Sequence, residues 1–62
     1  MRFVDYNDKE RIIVPHNEDY DCLTRTRILH NERGTQFEVN EHGSVYRVHP
    51  CSGKRTKIGN LL

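Results

Sequence analysis

The chain has no alanine and no tryptophan. Alanine is the best helix former, so its absence removes the simplest material for a helical bundle. Long apolar runs are missing too, the longest being Ile12-Ile13-Val14. Three residues fall far short of the roughly 20 that a membrane-spanning helix needs. Met1-Arg2-Phe3-Val4-Asp5 meets an acid where an export signal needs an apolar region, so export is not expected. Cysteine is limited to Cys22 and Cys51, which excludes a framework of several disulfides. One bridge between them would close a loop of about 30 residues and contribute ~3–4 kcal/mol. In a chain that is not exported the thiols are expected to stay free, and the expected location is cytoplasmic.

Size sets further bounds. Sixty-two residues, 34% of them hydrophobic and 31% charged, make one domain spanning residues 1–62. A domain of this length buries about 60% of the surface its unfolded chain exposes. Such a core leaves no room for a deep cofactor cavity or for three or four catalytic groups. No enzymatic activity, catalytic residue or cofactor is therefore expected.

What the chain does contain is β-branched. Thirteen residues are Val, Ile or Thr, whose branched Cβ atoms suit a pleated surface. Arg2 to Tyr6 reads as a strand, Asn7 to Glu10 as a polar turn, and Arg11 to Val14 as a returning strand that Pro15 ends. Asn17 to Gly34 is ambiguous. Asn17 suits a helix N-cap and Gly34 a C-cap, with acids early and bases late, but Tyr20, Leu23, Ile28 and Leu29 make a poor apolar stripe. The favoured reading is a short helical turn over 17–22 and a strand over 23–30.

Thr35 to Asn40 alternates strictly, as a half-buried strand does. His42-Gly43 then suits a two-residue hairpin turn, since Gly readily takes positive φ. That turn sets Val39 opposite Tyr46, Phe37 opposite Val48 and Glu38 opposite Arg47. After a turn at Pro50-Cys51-Ser52-Gly53, residues 54–58 return as a third strand, and Leu61 and Leu62 are expected to cap the core. No internal repeat stands out. The expected fold is mostly β, an antiparallel meander of four or five short strands with at most one short helix around residues 17–31. Phe37, Val39, Tyr46 and Val48 should share its core face with Ile13 and Ile28.

Net charge is +1, yet the two ends differ. Residues 5–21 hold six acids and two bases, whereas residues 43–62 hold four bases and no acid. Glu18, Asp19 and Asp21 form a candidate acidic patch. Arg47, His49, Lys54, Arg55 and Lys57 form a candidate binding stripe able to neutralise phosphates. Four histidines and two cysteines raise the question of a metal. However, His49 with Cys51, and His16 with Cys22, lack the close paired spacing of zinc ligands, so no metal is expected. Nucleophilic chemistry at Cys51 would need a base held by an acid, and no acid lies nearby in sequence.

These features point to a small non-enzymatic binding module, an accessory or regulatory protein of the kind a virus or mobile element encodes. Its expected partner is a protein or a second copy, because small sheets expose pairing edges and dimerisation enlarges a small core. The alternative is a nucleic-acid-binding β module using the basic C-terminal strands, with a small nuclease-like or metal-binding protein third. A membrane partner is not expected.

Overall fold

A computed structural model covers residues 1–62. It contains no helix and seven strands: β1 (Arg2–Asp5), β2 (Glu10–Ile12), β3 (Asn17–Asp21), β4 (Thr26–His30), β5 (Gln36–Val39), β6 (Ser44–Val48) and β7 (Arg55–Leu61). All pair antiparallel in one curled sheet of order β2-β1-β7-β6-β5-β4-β3. The mostly β expectation holds, with seven strands instead of four or five.

The two edge strands of this sheet, β2 and β3, are consecutive in the chain. Six successive antiparallel pairings separate them, so they run in the same direction. Between them, Ile13 still bonds to β1, its N–H donating to the Met1 carbonyl at 2.8 Å. His16 has already joined β4, its N–H donating to the His30 carbonyl at 2.7 Å. Glu10 to Asp21 is thus one extended segment that changes neighbour across Val14-Pro15. Proline suits this point, because it donates nothing to either ladder.

Stepping across the sheet from Tyr20 leads to Arg27, Val39, Val45, Gly59 and Asp5. The Asp5 N–H then donates to Lys9 at 3.0 Å, back on the segment that carries Tyr20. The curl is therefore a strongly sheared half-barrel whose edges are joined by the chain.

Side chains on the inner face make the core. Leu29, Val39 and Val45 are fully buried, Phe3 and Ile13 nearly so, and Met1, Phe37, Ile58 and Leu61 pack against them. A β-bulge between β6 and β7 leaves Ile58 as the extra residue, which strengthens the local twist. Gly59 follows it, buried under β1. A Cβ there would lie 2.1 Å from the Val4 carbonyl oxygen and 2.8 Å from the Phe3 ring.

Hairpins repeat one turn. Asn31 Oδ1 accepts from the N–H groups of Arg33 (3.0 Å) and Thr35 (2.9 Å). Asn40 Oδ1 accepts from His42 (3.0 Å) and Ser44 (2.9 Å) in the same way. Gly34 and Gly43 close the two loops at φ +82° and +84°. Asn31-Glu32-Arg33-Gly34-Thr35 and Asn40-Glu41-His42-Gly43-Ser44 are therefore a nine-residue repeat of hairpin units, which the sequence reading missed. Asp5 does the same for the first hairpin, accepting from Asn7 and Lys9 at 2.9 and 3.0 Å, with Asp8 at φ 59°.

Two expectations are corrected. Residues 17–22 form no helical turn: Asn17–Asp21 is edge strand β3, held by β4 and kept polar as edges are. The β5–β6 loop has three residues, Glu41 to Gly43, because Asn40 and Ser44 already pair. Val39 therefore faces Val45, Glu38 faces Tyr46 and Phe37 faces Arg47. This one-residue slip moves Tyr46 and Val48 to the outer face, with Ile28 and Glu38. Val45, not Tyr46, fills the inner core, while Val48 remains buried as expected, on the outer face.

Gly59→Ala should cost at least about 3 kcal/mol, since backbone and a core ring must both shift. Gly34→Ala should cost only about 1–2 kcal/mol, from positive φ alone, because nothing lies within 4 Å of a Cβ there. Urea denaturation of the two variants checks the ranking.

Candidate functional site

The curl has two open mouths, and their arginines differ. One mouth, a cavity of about 510 Å³ lined by Tyr20, Arg25, Arg27 and Glu41 among others, carries arginines that are already paired. Arg25 bonds Glu41 at 3.3 Å and Arg27 bonds Glu18 through Nε at 3.2 Å. Beside the β1–β2 and β4–β5 turns, the opposite mouth is a cavity of about 420 Å³ lined by Arg11, Arg33, Arg47, Phe3, Phe37 and Asp5 among others. Of the chain's seven arginines, five hold carboxylates: Arg2, Arg11, Arg25, Arg27 and Arg55. The two that hold none, Arg33 and Arg47, line this second mouth together.

Register places Arg47 there. It lies across from Phe37 and Thr56 on the inner face, beyond the apolar core. Arg33 comes from the tip of the Asn31 turn, where the Asn31 side chain holds its N–H. Asp5 is the single carboxylate in the lining, and its oxygens are occupied. Oδ1 accepts from Asn7 and Lys9, and Oδ2 from Arg11 Nε at 3.0 Å. The Lys9 N–H, with help from the Arg11 guanidinium and the Asn7 N–H, holds the Asp5 carboxyl below its ordinary value despite some desolvation. Three guanidiniums against one carboxylate leave the lining with a charge of +2.

The stripe expected from sequence is divided by the pleat. Arg47 is on the inner face, exposed at the mouth, while Arg55 and Lys57 stand on the outer face opposite Val48 and Tyr46. Arg55 is held by Glu38 at 3.2 Å, the acid expected to meet Arg47. His49 Nδ1 accepts from the N–H groups of Cys51 and Ser52, both at 3.2 Å, so the imidazole caps the β6–β7 turn. Lys54 sits at the end of that turn. Within the acidic patch, Glu18 holds Arg27, Asp21 Oδ1 accepts from Leu23 at 3.0 Å, and Asp19 Oδ1 accepts from the Tyr20 N–H at 2.8 Å. All three belong to edge strand β3. Cys22 and Cys51 are exposed free thiols, and no three His, Cys, Asp or Glu side chains converge as metal ligands. No helix is long and apolar enough to cross a membrane.

Sequence reading found Arg47 but missed Arg33, whose role as a turn tip would have shown through the repeated Asn-Glu-x-Gly pattern. Because the Asp5 value is lowered on folding, its contribution to stability is full above the ordinary carboxylate value near 3.8. It is lost as pH falls through the lower folded value. Asp5→Asn should therefore reduce the melting temperature at pH 6, and the gap from the parent should narrow toward pH 2, as read by thermal melts across that range. Comparison with family models, curated proteins and solved structures finds no match to this chain.

Proposed function

We infer that this chain is a non-enzymatic binding module that acts through protein contact, made by the extended segment Glu10–Asp21 and the turn that follows it. One observation carries this reading. Six large apolar side chains remain exposed, Tyr6, Ile12, Val14, Tyr20, Leu23 and Leu62; three of them lie on the segment Glu10–Asp21 that supplies both sheet edges, and Leu23 lies in the turn that follows it. Exposed apolar groups beside unpaired backbone suit strand addition, in which main-chain bonds supply affinity and side chains supply selectivity.

Charge selects the partner. Edge strand β3 carries Glu18, Asp19 and Asp21 within five residues. Antiparallel pairing of β3 with the same strand of a second copy would oppose like charges, which is unfavourable. A basic extended segment of another protein, alternating Lys or Arg with β-branched residues, fits instead. The protein is thus read as an accessory or regulatory module. Cytoplasmic action accords with its exposed thiols Cys22 and Cys51.

An eight-residue peptide of alternating Lys and Val should bind at about 10–100 μM, protect amide protons of residues 17–21 from exchange, and weaken at high salt. Its Glu-Val counterpart should not bind. Asp19→Lys, at an exposed position, should leave the melt unchanged and weaken the Lys-Val peptide about tenfold. Amide shifts that leave β3 untouched would refute the edge mechanism. A dimer in sedimentation that is lost on Ile12→Glu would assign the apolar segment to a second copy.

A further inference from the structure

The mouth around Arg33 and Arg47 lies apart from edge strand β3, and its chemistry differs. We propose that it binds a nucleotide, with the phosphate held between the Arg33 and Arg47 guanidiniums and the base against Phe37. The two arginines are the only ones without a carboxylate partner, and they line two adjoining cavities together. One, of about 420 Å³, also has Phe3, Phe37 and Ile58 in its wall. The other, of about 360 Å³, is bounded by Gly34, Thr35, Gln36, Val48 and Pro50.

Unpaired guanidiniums favour phosphate because each offers a planar fork of donors with no internal acceptor to satisfy it. The single acid of the lining does not compete, since Asp5 is engaged by Arg11 and by two backbone N–H groups. Glu32 lines the neighbouring groove along Val14 and Pro15, which Arg33 borders too, but it forms no ion pair with Arg33.

Apolar wall and charge meet at one place. Phe37 is half-buried, its ring packed against the core and its strand position opposite Arg47. A base laid on that ring would leave its phosphate beside Arg47, as aromatic platforms in basic grooves arrange single strands. The opposite mouth serves as an internal comparison. It has a similar size and two arginines, but Glu18 and Glu41 neutralise both.

Titration with AMP, with oligo(dT) of fifteen residues and with inorganic phosphate, followed by side-chain Nε–H signals of the arginines, tests the assignment. Both AMP and oligo(dT) should shift Arg33 and Arg47 and leave Arg25 and Arg27 unmoved. Arg33→Gln with Arg47→Gln, whose side chains hold no partner in the fold, should keep the melt and weaken binding at least tenfold. The double change should also flatten the oligo(dT) salt slope by about 0.7 per lost contact. Lys57→Gln on the outer face should change neither. Oligo(dT) binding much tighter than AMP would identify the source as single-stranded nucleic acid, and equal affinity a free nucleotide. Inorganic phosphate binding as tightly as AMP would overturn the base contact, and unshifted Arg33 and Arg47 at millimolar AMP and oligo(dT) would overturn the site.

Discussion

Two residues, Val14 and Pro15, carry the chain from one edge of the sheet to the other, and the rest of the structure depends on that crossing. Before them the backbone pairs with β1, and after them with β4. A flat meander of this length would have one apolar face and nothing to cover it. Joining β2 to β3 forces the sheet to curl, so its inner face covers itself and Ile13, Phe3, Leu29, Val39 and Val45 meet in one cluster. Gly59 and the adjacent bulge make room for this curvature where β7 pairs closely with β1.

Small domains have little core to spend on ordering loops, and here the turns are ordered locally. Asp5, Asn31 and Asn40 each accept two backbone N–H bonds across their own hairpin. Each such bond contributes about 0.5–1.5 kcal/mol net. Between hairpins the contacts are mainly strand to neighbouring strand, so much of the fold is built from units that specify their own ends. The β6–β7 turn uses a histidine for the same purpose, with Gly53 at φ +71°.

The same economy shapes the surface. Acids and arginines are often matched across neighbouring strands, as in Glu18 with Arg27 and Glu10 with Arg2. Exposed pairs of this kind contribute little stability each, but they cancel charge locally, and two of the places left unmatched stand out for binding. Those are the polar, partly apolar edge at β3 and the two arginines at one mouth. They differ in chemistry, which is why one is read as a protein contact and the other as an anion site.

Local chemistry by itself determined the β class, the first hairpin, and where the chain turns near Gly43 and Gly53, though not the length of the first of those loops. Alternation, β-branching and glycine act within a few residues, so they are legible without the fold. Tertiary structure decided whatever depended on pairing. Asn17 to Asp21 carries helix-favouring acids and a capping Asn, yet it is a strand because β4 offers a ladder along it. A three-residue loop instead of a two-residue one shifted β6 by one position, and with a side-chain period of two that exchanged Tyr46 for Val45 in the core. The same shift gave Glu38 to Arg55 and left Arg47 free at the mouth. Arg33 joined it because β5 pairs antiparallel with β6, which sets the β4–β5 turn beside the end of β6, a proximity that depends on pairing between strands.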